Sequence, residues 1–192
     1  MARHKGLSFY QKKKKISSST IREIFSWIFG IFAAILLAFV VVFSIGMNTG
    51  VIGVSMEPTL FNGQEILINR FVYSVTSPRK GDVIVFLPNN NQNTHYYVKR
   101  VVGLPGERVQ IKSGRVYIDG ILYEDNFDKI ADPGIAENEI KLGTDEYFVL
   151  GDNRNNSEDS RSGNVGLVTK DTIIGKAWLH MAKENSGIDF IK

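Results

Sequence analysis

The chain has 192 residues, 43% of them apolar, with 18 Gly, 5 Pro and no Cys, which is too short for two large domains and too apolar for a disordered chain. Without cysteine there is no disulfide framework, no thiolate-ligated zinc and no thiol nucleophile; the three histidines, His4, His95 and His180, are too scattered for a His-rich metal site, and no metal or organic cofactor is expected. The net charge of +3 conceals an asymmetry, because seven Lys and Arg against Glu23 put residues 1–23 at +6, while 16 basic and 19 acidic groups put the rest at −3. The high pI therefore belongs to the N-terminal tail, and no nucleic-acid-binding body is indicated.

From Phe25 to Gly46 the sequence FSWIFGIFAAILLAFVVVFSIG runs 22 residues without a charge. At 1.5 Å rise per residue it is long enough to cross a hydrocarbon core of roughly 30 Å. A cleavable secretory signal has a shorter apolar core of about 7–15 residues and a small-residue exit. This one continues into IGMNTGVIGV, so a retained membrane anchor is expected. The positive-inside rule then assigns residues 1–24 to a cytoplasmic basic tail, 25–46 to the span and 47–192 to the extracytoplasmic side. Lys12–Lys15 reads as topogenic charge.

Beyond the span the pattern is mostly of period two. The runs EILINRFVY, DVIVF, YYVKRVV, RVQI, RVYIDGILY, EYFVL and TIIGKAWL are separated by the turn clusters SPRKGD, LPNNNQN, GLPGE and GDNRNNS. Asp119-Gly120, between two alternating runs, is the strongest hairpin signal. The fold class expected is mainly β, an antiparallel β-rich domain after one N-terminal transmembrane helix. The stretch from Asp125 to Glu139 reads as a polar loop, and the Asn/Gln patch Asn89–Asn93 as a solvated one.

With thiols absent and metal ligands sparse, a nucleophile would have to be a hydroxyl paired with a base. In Gly53-Val54-Ser55-Met56-Glu57-Pro58-Thr59-Leu60, Pro58 pushes Glu57 out of the helical region, so the segment is an extended or tight-turn peptide that can expose Ser55. Ser55 lies nine residues past the span, and chain reach keeps it within roughly 30 Å of the membrane. In YYVKRVVG, adjacent Lys99 and Arg100 point to opposite faces of a strand, so one faces inward if the other faces water. Solvated charges on an edge strand are the commoner case. A lysine held among apolar neighbours instead loses ammonium solvation, its pKa falls, and it can act as a general base. The third segment, Gly151-Asp152-Asn153-Arg154-Asn155-Asn156-Ser157-Glu158-Asp159-Ser160-Arg161, has the composition of a polar turn. It is also dense with carboxylates to pair with arginines, and Ser157 or Ser160 are hydroxyls able to orient an amine.

Taken together, SMEPTL, a lysine 44 residues later in YYVKRVVGLPGE, and then GDNRNNSEDSR, all after one membrane span, resemble a bacterial type I signal peptidase of the single-span form. The resemblance covers nearly the whole chain from the anchor to about Trp178. It implies a β-rich serine peptidase whose Ser/Lys dyad removes signal peptides from exported precursor proteins at the outer membrane-water interface, with the lipid bilayer as its other partner. By motif, Ser55 would be the nucleophile and Lys99 the general base. Ser157 would correspond to the hydroxyl that orients the amine. Asp152 with Arg100, and Asp159 with Arg161, would be two structural ion pairs. Met56, Leu60, Tyr97 and Val98 would line the pocket for the residue before the scissile bond. One departure stands out: relatives with a more elaborate architecture carry a serine two residues before the nucleophile to help hold the oxyanion, where this chain has Gly53. The hole would then rest on the Ser55 N–H and a further donor or a water, since losing one donor can cost about 3 kcal/mol.

Other classes fit less well. Self-cleaving repressors share the Ser/Lys chemistry but carry a DNA-binding helical domain where this chain has a basic tail and a span. A Ser-His-Asp hydrolase using His95 lacks the second glycine of a G-x-S-x-G elbow. A catalytically inert, membrane-tethered β domain assisting surface-protein assembly would be expected to have lost Ser55 or Lys99, and both are present.

Overall fold

The computed structural model describes residues 17–45, 47–88, 95–181 and 187–191. The basic run Lys12–Lys15 and the Asn89–Asn93 patch lie outside the described residues. The chain divides into two units, residues 1–41 and 42–192.

The first unit holds most of helix α1 (Ser18–Ile45); its residues 18–41 are all exposed and contain an 18-residue window of mean hydropathy 2.7. It begins seven residues before the expected start at Phe25. The helix opens on Ser17: its carbonyl accepts from Ile21 N–H at 3.1 Å, and its hydroxyl oxygen accepts from Ser19 N–H at 3.4 Å. Arg22 and Glu23 therefore fall within the helix, since long charged side chains are good helix formers.

The second unit is mainly β, and all its strand pairings among the described residues are antiparallel. Its strands are β1 (Met47–Gly50), β2 (Glu65–Asn69), β3 (Val83–Phe86), β4 (Tyr97–Gly103), β5 (Arg108–Lys112), β6 (Arg115–Ile118), β7 (Ile121–Leu122), β8 (Ile140–Lys141), β9 (Glu146–Leu150), β10 (Val168–Thr169), β11 (Ile173–Met181) and β12 (Ile188–Phe190). The larger sheet has the order β1-β2-β11-β3-β4-β9-β10, with β12 also paired to β11; the smaller has the order β7-β6-β5-β8. The mainly β, antiparallel fold after one apolar helix is the class expected from the sequence.

Most elements follow their local chemistry. Asp119 and Gly120 both take positive φ, 51° and 78°, the requirement of a two-residue type I′ turn, and they join β6 to β7 with Ile118 opposite Ile121. In β3, Val83 and Val85 pack into one core cluster while Ile84 and Phe86 pack into another, so both faces of the larger sheet are covered. The smaller sheet closes a third cluster around Val109, Ile111, Val116 and Phe148.

Two segments depart from expectation. The run EILINRFVY does not stay a strand: β2 stops at Asn69, whose Oδ1 accepts from Phe71 and Val72 N–H at 3.1 and 3.0 Å and opens the short helix α2 (Val72–Val75). The stretch from Asp125 to Glu139 contains a 3-10 turn, Gly134–Glu137, and buries Ile130 and Ala136, so it is partly core rather than wholly solvated.

Candidate active site

Ser55 sits in an excursion between β1 and β2. The ladder continues past the strands through Val51 N–H to Gln64 O and Gly63 N–H to Val51 O, so residues 52–62 leave the sheet as a loop. That loop has no regular structure and is held by other means. Gly53, at φ 86°, donates its N–H to Asn62 Oδ1 at 2.9 Å, and Leu60 N–H donates to Met56 O at 2.9 Å. Met56 and Leu60 are wholly buried and anchor it in the core beside Ile66 and Ile68.

Lys99 comes from β4, which lies between β3 and β9 in the interior of the sheet. The commoner case of an edge strand with solvated charges does not hold: Lys99 and Arg100 are 4% and 7% exposed. Both strand faces are packed, so each charge needs a buried solution. For Arg100 the solution is a fork, with Nε and Nη2 each donating to an Asp152 oxygen at 2.7 Å, and Nη1 donating to Gly81 O. For Lys99 it is a lowered pKa. Burial brings it from 10.5 to about 8, against the opposing pull of the Asp159, Glu158 and Asp152 carboxylates. The Lys99 Nζ lies 2.6 Å from Ser55 Oγ, donating to it as an ammonium. As a free amine its lone pair would face the hydroxyl, and the pair could then pass the serine proton to nitrogen.

The segment after β9 joins these parts. Asn153 N–H donates to Ser55 O at 3.0 Å and its Nδ2 to Val54 O at 3.2 Å, while Asp152 Oδ2 accepts from Thr59 Oγ1 at 2.6 Å. Thr59, Asp152 and Arg100 thus form one cluster holding the serine loop to the lysine strand. Thr59 was not singled out from the sequence, although it stands in the same SMEPTL segment. Asp159 is fully buried and pairs with Arg161 through two hydrogen bonds of 2.8 Å, and it also accepts from Gly151 N–H. Ser160, the other hydroxyl considered, is buried and serves the backbone, accepting from Val149 N–H at 3.0 Å.

Two residues are placed differently from the sequence reading. Ser157 lies against Gly151, but its hydroxyl donates to Asp159 Oδ2 at 2.7 Å, while the Lys99 hydrogen bond goes to Ser55. A carboxylate is the stronger acceptor. Leu60 does not line the cleft over the serine; it is buried in the core below. The cleft, about 390 Å³, is walled by Val54, Met56, Tyr97 and Val98, and also by His95, Tyr96, Asn156 and Glu158, which the sequence reading had not placed there. Among the described residues the Ser55 N–H has no acceptor. Gly53 leaves open space where a side chain would stand.

The family described as Signal peptidase, peptidase S26 matches residues 24–182. Signal peptidase I P of Bacillus subtilis subsp. natto is 34% identical over 175 residues, covering 86% of this chain and 91% of that protein. Signal peptidase I of Bacillus amyloliquefaciens is 35% identical over 180 residues, covering 85% and 91%. The crystal structure of a signal peptidase I from Enterococcus faecalis is 26% identical, covers 53% of this chain and 97% of that one, and has a TM-score of 0.42. The chain belongs to the signal peptidase family, peptidase S26, and is a serine endopeptidase.

Proposed function

We propose that this chain is a membrane-anchored signal peptidase that cleaves signal peptides from exported preproteins, with Ser55 as nucleophile and Lys99 as general base. The observation that carries the reading is the 2.6 Å separation between Ser55 Oγ and a buried Lys99 amine whose pKa is lowered to about 8. Neutral Lys99 takes the Ser55 proton as the oxygen attacks the scissile carbonyl, and the ammonium returns a proton to the leaving amine. The acyl-enzyme is then hydrolysed by a water that the regenerated amine deprotonates. The Ser55 N–H supplies one donor to the oxyanion, and a water or a group brought by the substrate supplies the second, because Gly53 has no side chain to give. Asp159 steadies the surroundings of the amine through its bonds to Ser157, Gly151 and Arg161. Met56, Tyr97 and Val98 form an apolar wall suited to a small side chain before the cut, because a shallow pocket excludes large groups more strongly than it rewards small ones.

The segments sort accordingly: a basic tail, residues 1–24, in the cytoplasm; the span, 25–46; and the peptidase domain, 47–192, outside, with Ser55 held near the outer interface by its short tether. The test is the full chain in detergent micelles acting on a preprotein, with the new N-terminus read by mass spectrometry. Cleavage is expected after a small residue, and Ser55→Ala and Lys99→Ala should each abolish it. Cleavage that survives either substitution overturns the assignment.

A further inference from the structure

The proposed reaction leaves one charge in the cleft without a partner. Of the described side chains lining it, the only amine is that of Lys99 and the only carboxylate is that of Glu158. Glu158 is exposed and held in place from two sides: Oε2 accepts from the Tyr97 hydroxyl at 3.2 Å, and Oε1 accepts from Asn164 Nδ2 at 3.1 Å. Both donors are neutral, so they fix the carboxylate's position without cancelling its charge. None of the ion pairs among the described residues includes it. When Lys99 is an ammonium, the two charges in the cleft offset each other. Catalysis starts from the neutral amine, and in that state the cleft is net negative where a peptide would lie.

We infer that Glu158 is a specificity-determining residue, favouring peptides with Lys or Arg within a residue or two of the scissile bond and disfavouring those with Asp or Glu there. The inference rests on reading this cleft as the peptide-cleaving site. The walls of the cleft are mostly apolar, so the carboxylate is the charge that a peptide bound there would meet. The Tyr97 bond also ties it to the strand that carries Lys99.

The test uses three matched peptides that differ only in Lys, Gln or Glu at one position beside the scissile bond, cleaved by the full chain in detergent micelles. The expected order of kcat/KM is Lys, then Gln, then Glu, with about tenfold between the extremes at low salt, shrinking in about 0.5 M salt. Glu158→Gln should bring the ratio close to one, and Glu158→Lys should reverse the order. A purely electrostatic influence on Lys99 would instead shift the pH profile of all three peptides alike and leave their ratio untouched. A Lys-to-Glu ratio that is unchanged in Glu158→Gln overturns the inference while the proteolytic reading stands. Failure of the unaltered chain to cleave any of the three, or a preprotein, removes both.

Discussion

Titrating the enzyme from about pH 6 to about pH 10 converts the Lys99 ammonium to a free amine, and turnover is expected to rise with it. At a pKa of about 8, about one amine in ten is free at pH 7; at the ordinary 10.5 it would be about one in three thousand. On this basis kcat/KM for a preprotein should climb about tenfold per pH unit below pH 7 and level off above about pH 9. The same burial costs stability. A depression of about 2.5 units corresponds to roughly 3 kcal/mol by which the folded chain disfavours the ammonium. The unfolded chain holds that proton more tightly, so the penalty is complete below about pH 8, shrinks between 8 and 10.5, and is absent above. Lys99→Met replaces the amine with an apolar chain of similar reach. It should abolish turnover yet raise stability at pH 7 by up to roughly 3 kcal/mol, less about 1 kcal/mol for the lost hydrogen bond. The gain should fade as the pH rises from about 8 and be gone by about pH 10. Urea unfolding of both proteins in detergent at pH 7 and pH 10, followed by tryptophan fluorescence, measures it. An activity midpoint near 10.5, or a Lys99→Met variant with the same relative stability at both pH values, refutes the account of the buried amine.

Two further substitutions probe how the site is assembled. In Gly151→Ala the new Cβ would lie 2.2 Å from Ser157 Oγ and 2.5 Å from the Ser55 carbonyl oxygen; since the latter is backbone, the serine loop must shift, and turnover should fall about a hundredfold with the β-sheet circular dichroism retained. Full activity would show that the loop tolerates displacement. Asp152→Asn leaves the Arg100 guanidinium buried with a neutral partner and should destabilise the domain by about 3 kcal/mol, seen as a lower urea midpoint; a change under about 1 kcal/mol would mean that the pair adds little beyond its hydrogen bonds.

Legibility followed the range of the interaction. The β6–β7 hairpin could be read because Asp119-Gly120 demands positive φ locally, and DVIVF read as a strand because its residues pack on two covered faces. Short pairings such as β1, β8 and β10 carry no periodic signal of their own; Met47–Gly50 is a strand because β2 lies beside it. The halt at Asn69 was missed because a side-chain bond to the next backbone amides outweighed the β propensity of Phe71, Val72 and Tyr73. At the site, residue types in their order supplied Ser55 and Lys99 as candidates, and the resemblance to signal peptidases supplied the two Asp-Arg pairs. What the order of residues does not carry is direction: that both Lys99 and Arg100 are buried, that Ser157 turns to Asp159, or that Glu158 and Tyr97 meet across 61 positions.

The serine loop takes its shape from contacts made by residues about a hundred positions further on, Asn153 to the Val54 and Ser55 carbonyls and Asp152 to Thr59. A chain still short of that turn has its hydroxyl and its amine but lacks the contacts that tie the serine loop to the segment after β9. The site is therefore complete only with residues 152 and 153 seated against the serine loop.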